Sequence, residues 1–83
     1  MKPELTITIA SLPDRENLVA ELWFGDVQWG EVNQEGGSLT LEIYPHRSGR
    51  PWAFELDDVI QQIEQAKSRL KSKATGLPYQ PTA

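Results

Sequence analysis

The chain has 83 residues, enough for one small domain, and its 39% hydrophobic and 24% charged residues are typical of a folded globular protein. It has no cysteine and one histidine, which excludes disulfides, cysteine nucleophiles and metal sites built from thiolates or several histidines. Because the net charge is −4 and no apolar run approaches the roughly 20 residues that span a bilayer, we expect a cytoplasmic protein that binds neither nucleic acid nor membrane.

Four segments have the alternation and composition of β-strands. Residues 5–9 and 38–44 alternate apolar and polar side chains, which predicts strands with one buried face. Residues 18–24 and 27–34 predict two further strands, separated by Gly25-Asp26. The glycines after Glu35 predict a hairpin turn before the last strand.

One helix is predicted from about residue 56 to 72. Its apolar stripe recurs at helical spacing and contains Val59, Ile60, Ile63, Ala66, Lys67, Leu70 and Ala74. Asp58, or alternatively Asp57, is the predicted N-cap, and Thr75-Gly76 is expected to end the helix. Residues 75–83 contain two prolines and no periodicity, so we expect a flexible C-terminal tail.

This order of elements predicts an α+β fold: a four-stranded antiparallel β-meander with one C-terminal helix packed on one face. The short connections favour antiparallel pairing, because parallel strands need longer crossovers. Residues 1–74 would form the single ββββα domain. A chain of this size buries little surface, so dimerisation through a sheet edge, or through the face of the sheet away from the helix, stays a possible alternative.

Two registers are open to the last hairpin. A turn centred on Glu35-Gly36 places Gly30 opposite Leu41, whereas a turn centred one residue later places Glu31 opposite Glu42. Like charges directly opposed across strands are unfavourable, so the first register is predicted. To bury two leucines and a phenylalanine, the second strand must also be followed by a bulge near residues 25–27.

The face of the sheet away from the helix would then be unusually aromatic. It would carry Val19, Glu21, Trp23, Trp29, Glu31, Asn33, Thr40, Glu42 and Tyr44. Exposed aromatic residues rimmed by polar groups are typical of interaction sites. We therefore predict a partner-binding site formed by Trp23, Trp29, Tyr44, Glu21, Glu31 and Glu42. The alternative is that one of the tryptophans belongs to the core.

No residue pattern indicates catalysis, so we expect neither an enzyme nor a cofactor or metal. Asp57-Asp58 is the one adjacent carboxylate pair, and aspartates at a helix start are more often caps. His46, Arg47 and Arg50 are consistent with a phosphate- or carboxylate-binding loop, but also with a solvated surface loop. The basic residues 67–73 are explained by the helix dipole.

The run Leu41-Glu42-Ile43-Tyr44-Pro45, the later Pro51-Trp52 and the segment Phe54–Asp58 lie in an acidic ββββα chain. In these features, residues 5–72 resemble small bacterial immunity proteins of polymorphic toxin systems. The resemblance implies a protein that binds a cognate toxin domain and blocks its active site or substrate entry, and it carries over no individual functional residue.

The charge distribution favours a basic partner for such a protein. Residues 1–64 hold all twelve acidic residues and a net charge of −8, while residues 65–83 are net +4. An acidic surface suits a basic toxin domain. The alternative is a structural or regulatory module that acts as a homodimer.

Overall fold

The computed structural model describes residues 4–14 and 16–74, with side chains as far as Ser72. Its elements are β1 (Leu5–Ala10), β2 (Val19–Phe24), β3 (Val27–Asn33), β4 (Thr40–Ile43) and α1 (Leu56–Ala74). The strands form one antiparallel sheet in the order β1-β2-β3-β4, and α1 packs on one face. The predicted fold class is confirmed. The predicted helix end at Thr75-Gly76 and the tail at 75–83 lie outside the described residues.

The core lies between α1 and the first three strands. It contains Ala20, Leu22, Trp29, Val32, Ala66 and Leu70. The β1–β2 register places Ile7 opposite Leu22 and Ile9 opposite Ala20, so the inward residues of both strands meet the helix as their alternation predicts. Leu22 and Leu70 are fully buried, and burying a leucine side chain contributes roughly 1.5–3 kcal/mol.

Helix α1 begins slightly before the predicted cap. The Val59 N–H donates to the Glu55 carbonyl at 3.1 Å, so Glu55 holds the N-cap position. Asp57 and Asp58 lie in the first turn, where the positive end of the helix dipole stabilises them. They complement the dipole and do not cap the helix.

A β-bulge in β3 changes which face one tryptophan occupies. Leu22 pairs with Gly30 but Trp23 pairs with Gln28, so Trp29 is an extra residue in β3. The predicted bulge near residues 25–27 is therefore displaced into β3. The turn itself is tight, with Gly25 at φ 63°. The bulge places Trp29 on the helix side of the sheet, where the core contains it.

The β3–β4 hairpin adopts the register that the sequence disfavours. Glu31 lies opposite Glu42 and Gly30 opposite Ile43, so the predicted pairing of Gly30 with Leu41 is wrong by two residues. A shift of two residues leaves every side chain on its predicted face. The turn is closed by Gly37, which has φ 90° and donates its N–H to the Gln34 carbonyl at 3.0 Å.

The helix covers only part of the sheet. It packs against β1, β2 and β3, whereas in the described chain no Cα atom of α1 lies within 8 Å of one in β4. Leu41 and Ile43 of β4 point to the helix side, opposite Val32 and Gly30, yet 40% and 61% of their surface is exposed. Within the described ranges, no helix is both long and apolar enough to cross a membrane.

Candidate functional site

Three glutamates form a row across the face of the sheet opposite α1, which we call the outer face. The registers place Glu21 opposite Glu31 and Glu31 opposite Glu42, so one carboxylate from each of β2, β3 and β4 lies in line. Glu42 is exposed, Glu21 is half-buried and Glu31 is only 2% exposed. We call these three residues the glutamate row.

Hydrogen bonds from two neighbouring side chains hold the row together. The Asn33 side-chain amide donates to Oε2 of Glu31 and to Oε1 of Glu42, each at 2.8 Å. The Tyr44 hydroxyl donates to Oε1 of Glu31. Hydrogen bonds to charged groups are about twice as strong as neutral ones. These donors explain why the opposed glutamates are tolerated in this register.

The structure brings together five of the six predicted site residues. Trp23 and Tyr44 are half-buried and lie on the outer face with the glutamate row. Trp29 does not join them, and its predicted position on the outer face is wrong. It is 3% exposed, its ring centroid lies 4.8 Å from that of Phe54, and its indole N–H donates to Gln62. The alternative of a core tryptophan is the one observed.

Gln62 is a key residue that the sequence analysis missed. It is 4% exposed, and its Oε1 accepts the Trp29 indole N–H at 3.2 Å. Its amide nitrogen donates to the backbone carbonyls of Thr6 at 2.7 Å and Trp23 at 3.2 Å. One side chain of α1 thereby links three strands. The sequence signal for a buried Gln62 was its position beside Ile63 and Ala66 of the apolar stripe.

Trp23 lines an open groove of about 670 Å³ at one end of the outer face. The groove is formed by Trp23, Asp26, Val27, Gln28, Pro45, His46, Arg47, Ser48 and Trp52. Among the described side chains, the Trp23 indole N–H is buried without a hydrogen-bond partner. An unpaired buried donor costs about 1–3 kcal/mol, so the hydrogen-bonding groups of this groove are less well paired than those of the glutamate row.

The loop that follows β4 is ordered by its own hydrogen bonds. The backbone N–H of Ser48 donates to Nδ1 of His46 at 3.1 Å, and the Trp52 indole donates to the Tyr44 carbonyl at 2.9 Å. The His46 ring lies edge-on to Trp52 with centroids 4.4 Å apart. Of the predicted anion-binding residues, His46 and Arg47 line the groove described above.

The arrangement offers surfaces for binding. Asp58, the candidate carboxylate beside Asp57, lines an open groove of about 810 Å³ between the start of α1 and β1, together with three glutamines. Across residues 4–14 and 16–74, no cluster of three or more histidine, aspartate or glutamate side chains is placed to hold a metal ion. Glu42, the exposed member of the glutamate row, lies in β4, the strand that α1 does not cover.

Comparison with known proteins adds no family to this description. No model of a protein family, no curated protein sequence and no solved structure matches the chain. The resemblance to immunity proteins therefore stays a prediction, and function must be inferred from the residues and their geometry.

Proposed function

We propose that this chain is a protein-binding module that neutralises a basic protein domain, as bacterial immunity proteins neutralise their cognate toxins. The observation that carries the proposal is the glutamate row, which crosses three strands and ends at exposed Glu42 in β4, the strand that α1 does not cover. The proposal also assigns the protein to the bacterial cytoplasm, where an immunity protein would act.

The five outer-face residues would have different roles in such a complex. Trp23 and Tyr44 are half-buried and would supply apolar contact area, which is typical of binding hot spots. Glu21 and Glu42 would attract a basic surface and raise the association rate, an effect that salt weakens. Glu31 is too deeply buried to contact a partner directly, so it would act through the charge of the row.

The proposal is tested with the product of the gene adjacent to the one that encodes this chain. We expect the two purified proteins to form a one-to-one complex and the chain to suppress the partner's toxicity on co-expression. Glu42→Lys should weaken binding at least tenfold, because it replaces attraction by repulsion at an exposed position. Glu4→Lys makes the same charge change at an exposed residue beside β1, the opposite edge of the sheet, and should bind like the wild type.

Two outcomes contradict the proposal. One is a partner that the chain neither binds nor inhibits. The other is equal weakening by Glu42→Lys and Glu4→Lys, which would indicate a general charge effect and no particular surface.

The second candidate function is a structural or regulatory module that acts as a homodimer. The exposed leucine and isoleucine of β4 favour it, because an open strand with apolar side chains can pair with a second copy. A molar mass near 19 kDa by light scattering, about twice the 9.4 kDa of one chain, would support this candidate.

A further inference from the structure

We propose that β4 accepts a fifth strand from the partner: an extended segment in which apolar and basic residues alternate, added antiparallel to the open edge of the sheet. This inference rests on the proposed function, because it names the part of a basic partner that the chain recognises.

The backbone of β4 offers hydrogen-bonding groups on its outer edge. The Tyr44 N–H donates to the Trp29 carbonyl at 2.9 Å. Residues along an antiparallel strand alternate in whether their backbone N–H and C=O groups point toward the partner strand. The backbone groups of Glu42 therefore also point toward β3, and those of Leu41 and Ile43 point away from β3. β4 is the last strand of the sheet in the described chain. The N–H and C=O groups of Leu41 and Ile43 are thus positioned to pair with an added strand.

The helix-side surface of β4 requires apolar residues from that strand. Leu41 and Ile43 are 40% and 61% exposed on this side. Asp58 and Gln61 line the groove beside β1, so the helical period places Ile60, which is 45% exposed, on the opposite flank of α1. Apolar side chains of an added strand would cover Leu41 and Ile43 and extend toward Ile60.

The outer-face surface of β4 requires basic residues from the same strand. The glutamate row ends at Glu42, beside the open edge. In an antiparallel fifth strand, the residue opposite Glu42 would occupy a non-hydrogen-bonded pair, where Cα atoms approach to about 4.5 Å. A lysine or arginine there would pair with Glu42, whereas an acidic residue would extend the line of like charges.

Charge also distinguishes a basic segment from a second copy of this chain. Two β4 strands paired with Leu41 opposite its own copy would place Glu42 opposite Thr40, and a shift of two residues would place Glu42 opposite Glu42. Neither register places a cation opposite Glu42. The next shift places Leu41 opposite Pro45, which has no N–H to donate. A basic, apolar segment satisfies both faces of β4 at once.

The probes are two synthetic nine-residue peptides, one alternating valine and lysine and one alternating valine and glutamate. We expect the lysine peptide to bind with slowed hydrogen exchange at the Leu41 and Ile43 amides, measured by NMR. Glu42→Lys should lower its affinity roughly tenfold and favour the glutamate peptide. Glu4→Lys, at an exposed residue beside the opposite edge strand β1, is the matched control and should leave both affinities as in the wild type.

Three results would overturn the inference. They are equal affinity for the two peptides, lysine-peptide binding with unchanged exchange at Leu41 and Ile43, and a free chain that is already dimeric with both amides protected. The last result assigns the edge to a second copy. If a basic protein binds and is inhibited without protecting these amides, the inference fails and the proposed function stands. If the lysine peptide binds as expected but the basic partner is not inhibited, the proposed function fails.

Discussion

Strands β2 and β4 carry similar side chains toward the helix side but have different surroundings. Ala20 and Leu22 of β2 are completely buried, whereas Leu41 and Ile43 of β4 are 40% and 61% exposed. The difference arises because α1 packs over β1, β2 and β3, which we call the covered half of the sheet, and stops short of β4, which we call the open half. Alternation in a sequence therefore tells which face a residue occupies, but the neighbouring elements decide whether that face is covered.

The largest expected effect comes from shortening a leucine in the covered half. Leu22→Ala should lower the free energy of unfolding by about 2–5 kcal/mol, because it leaves a cavity in the core. Leu41→Ala makes the same chemical change in the open half and should cost less than about 1 kcal/mol. Urea denaturation of both variants measures the contrast. Equal losses would mean that β4 is also covered.

The next effect concerns the polar side chain inside the covered half. Gln62→Ala removes the acceptor of the Trp29 indole and the donor to two carbonyls, so it should cost about 2–3 kcal/mol. Gln61→Ala, on the exposed neighbour, should change stability by less than about 0.5 kcal/mol. Thermal denaturation distinguishes the two. A neutral Gln62→Ala variant would show that these hydrogen bonds are dispensable.

Gly30 of β3 lies where the covered half of the sheet packs closely against β4. A Cβ on Gly30 would lie 2.5 Å from the backbone oxygen of Glu42, so Gly30→Ala must push β4 away from β3. We expect a loss of about 2 kcal/mol in chemical denaturation. A Cβ on Gly36 would meet no atom within 4 Å, and Gly36→Ala should be nearly neutral. If Gly30→Ala is equally neutral, the two strands are less closely packed than described.

The smallest effect concerns the Asn33 side chain, which donates hydrogen bonds to two members of the glutamate row. Asn33→Ala leaves Glu31 and Glu42 directly opposed without their shared donor, and should cost about 1–2 kcal/mol in urea denaturation. Asn17→Ala, at an exposed loop position, is the control. Unchanged stability in Asn33→Ala would mean that the amide does not stabilise this register.

The fold could be predicted from local pattern, since the alternation of residues 5–9 and 38–44 and the helical stripe identify the elements and their buried faces. The register of β4 could not. The rule that disfavours like charges directly opposite each other is local, whereas in the structure the Asn33 amide donates to both carboxylates. A pairwise rule between strands does not include such a third side chain.

The face on which the proposed site residues lie could be predicted for all of them except Trp29. Trp23, Tyr44 and the glutamate row lie on the outer face as the alternation predicts. Trp29 does not, because a bulge places its side chain on the helix side of the sheet. There its ring packs against Phe54 and its indole N–H donates to Gln62. Those partners are 25 and 33 residues away in the sequence, so no local pattern reveals them.

Backbone hydrogen exchange in the free chain tests the central claim, an open β4 edge, most directly. We expect the amides of Leu41 and Ile43 to exchange rapidly and those of Glu42 and Tyr44 to be protected, because the latter bond to β3. In the covered half, consecutive amides of β2 should all be protected. Slow exchange at Leu41 and Ile43 in dilute solution would contradict the account, since it would mean that the free chain already covers its own edge.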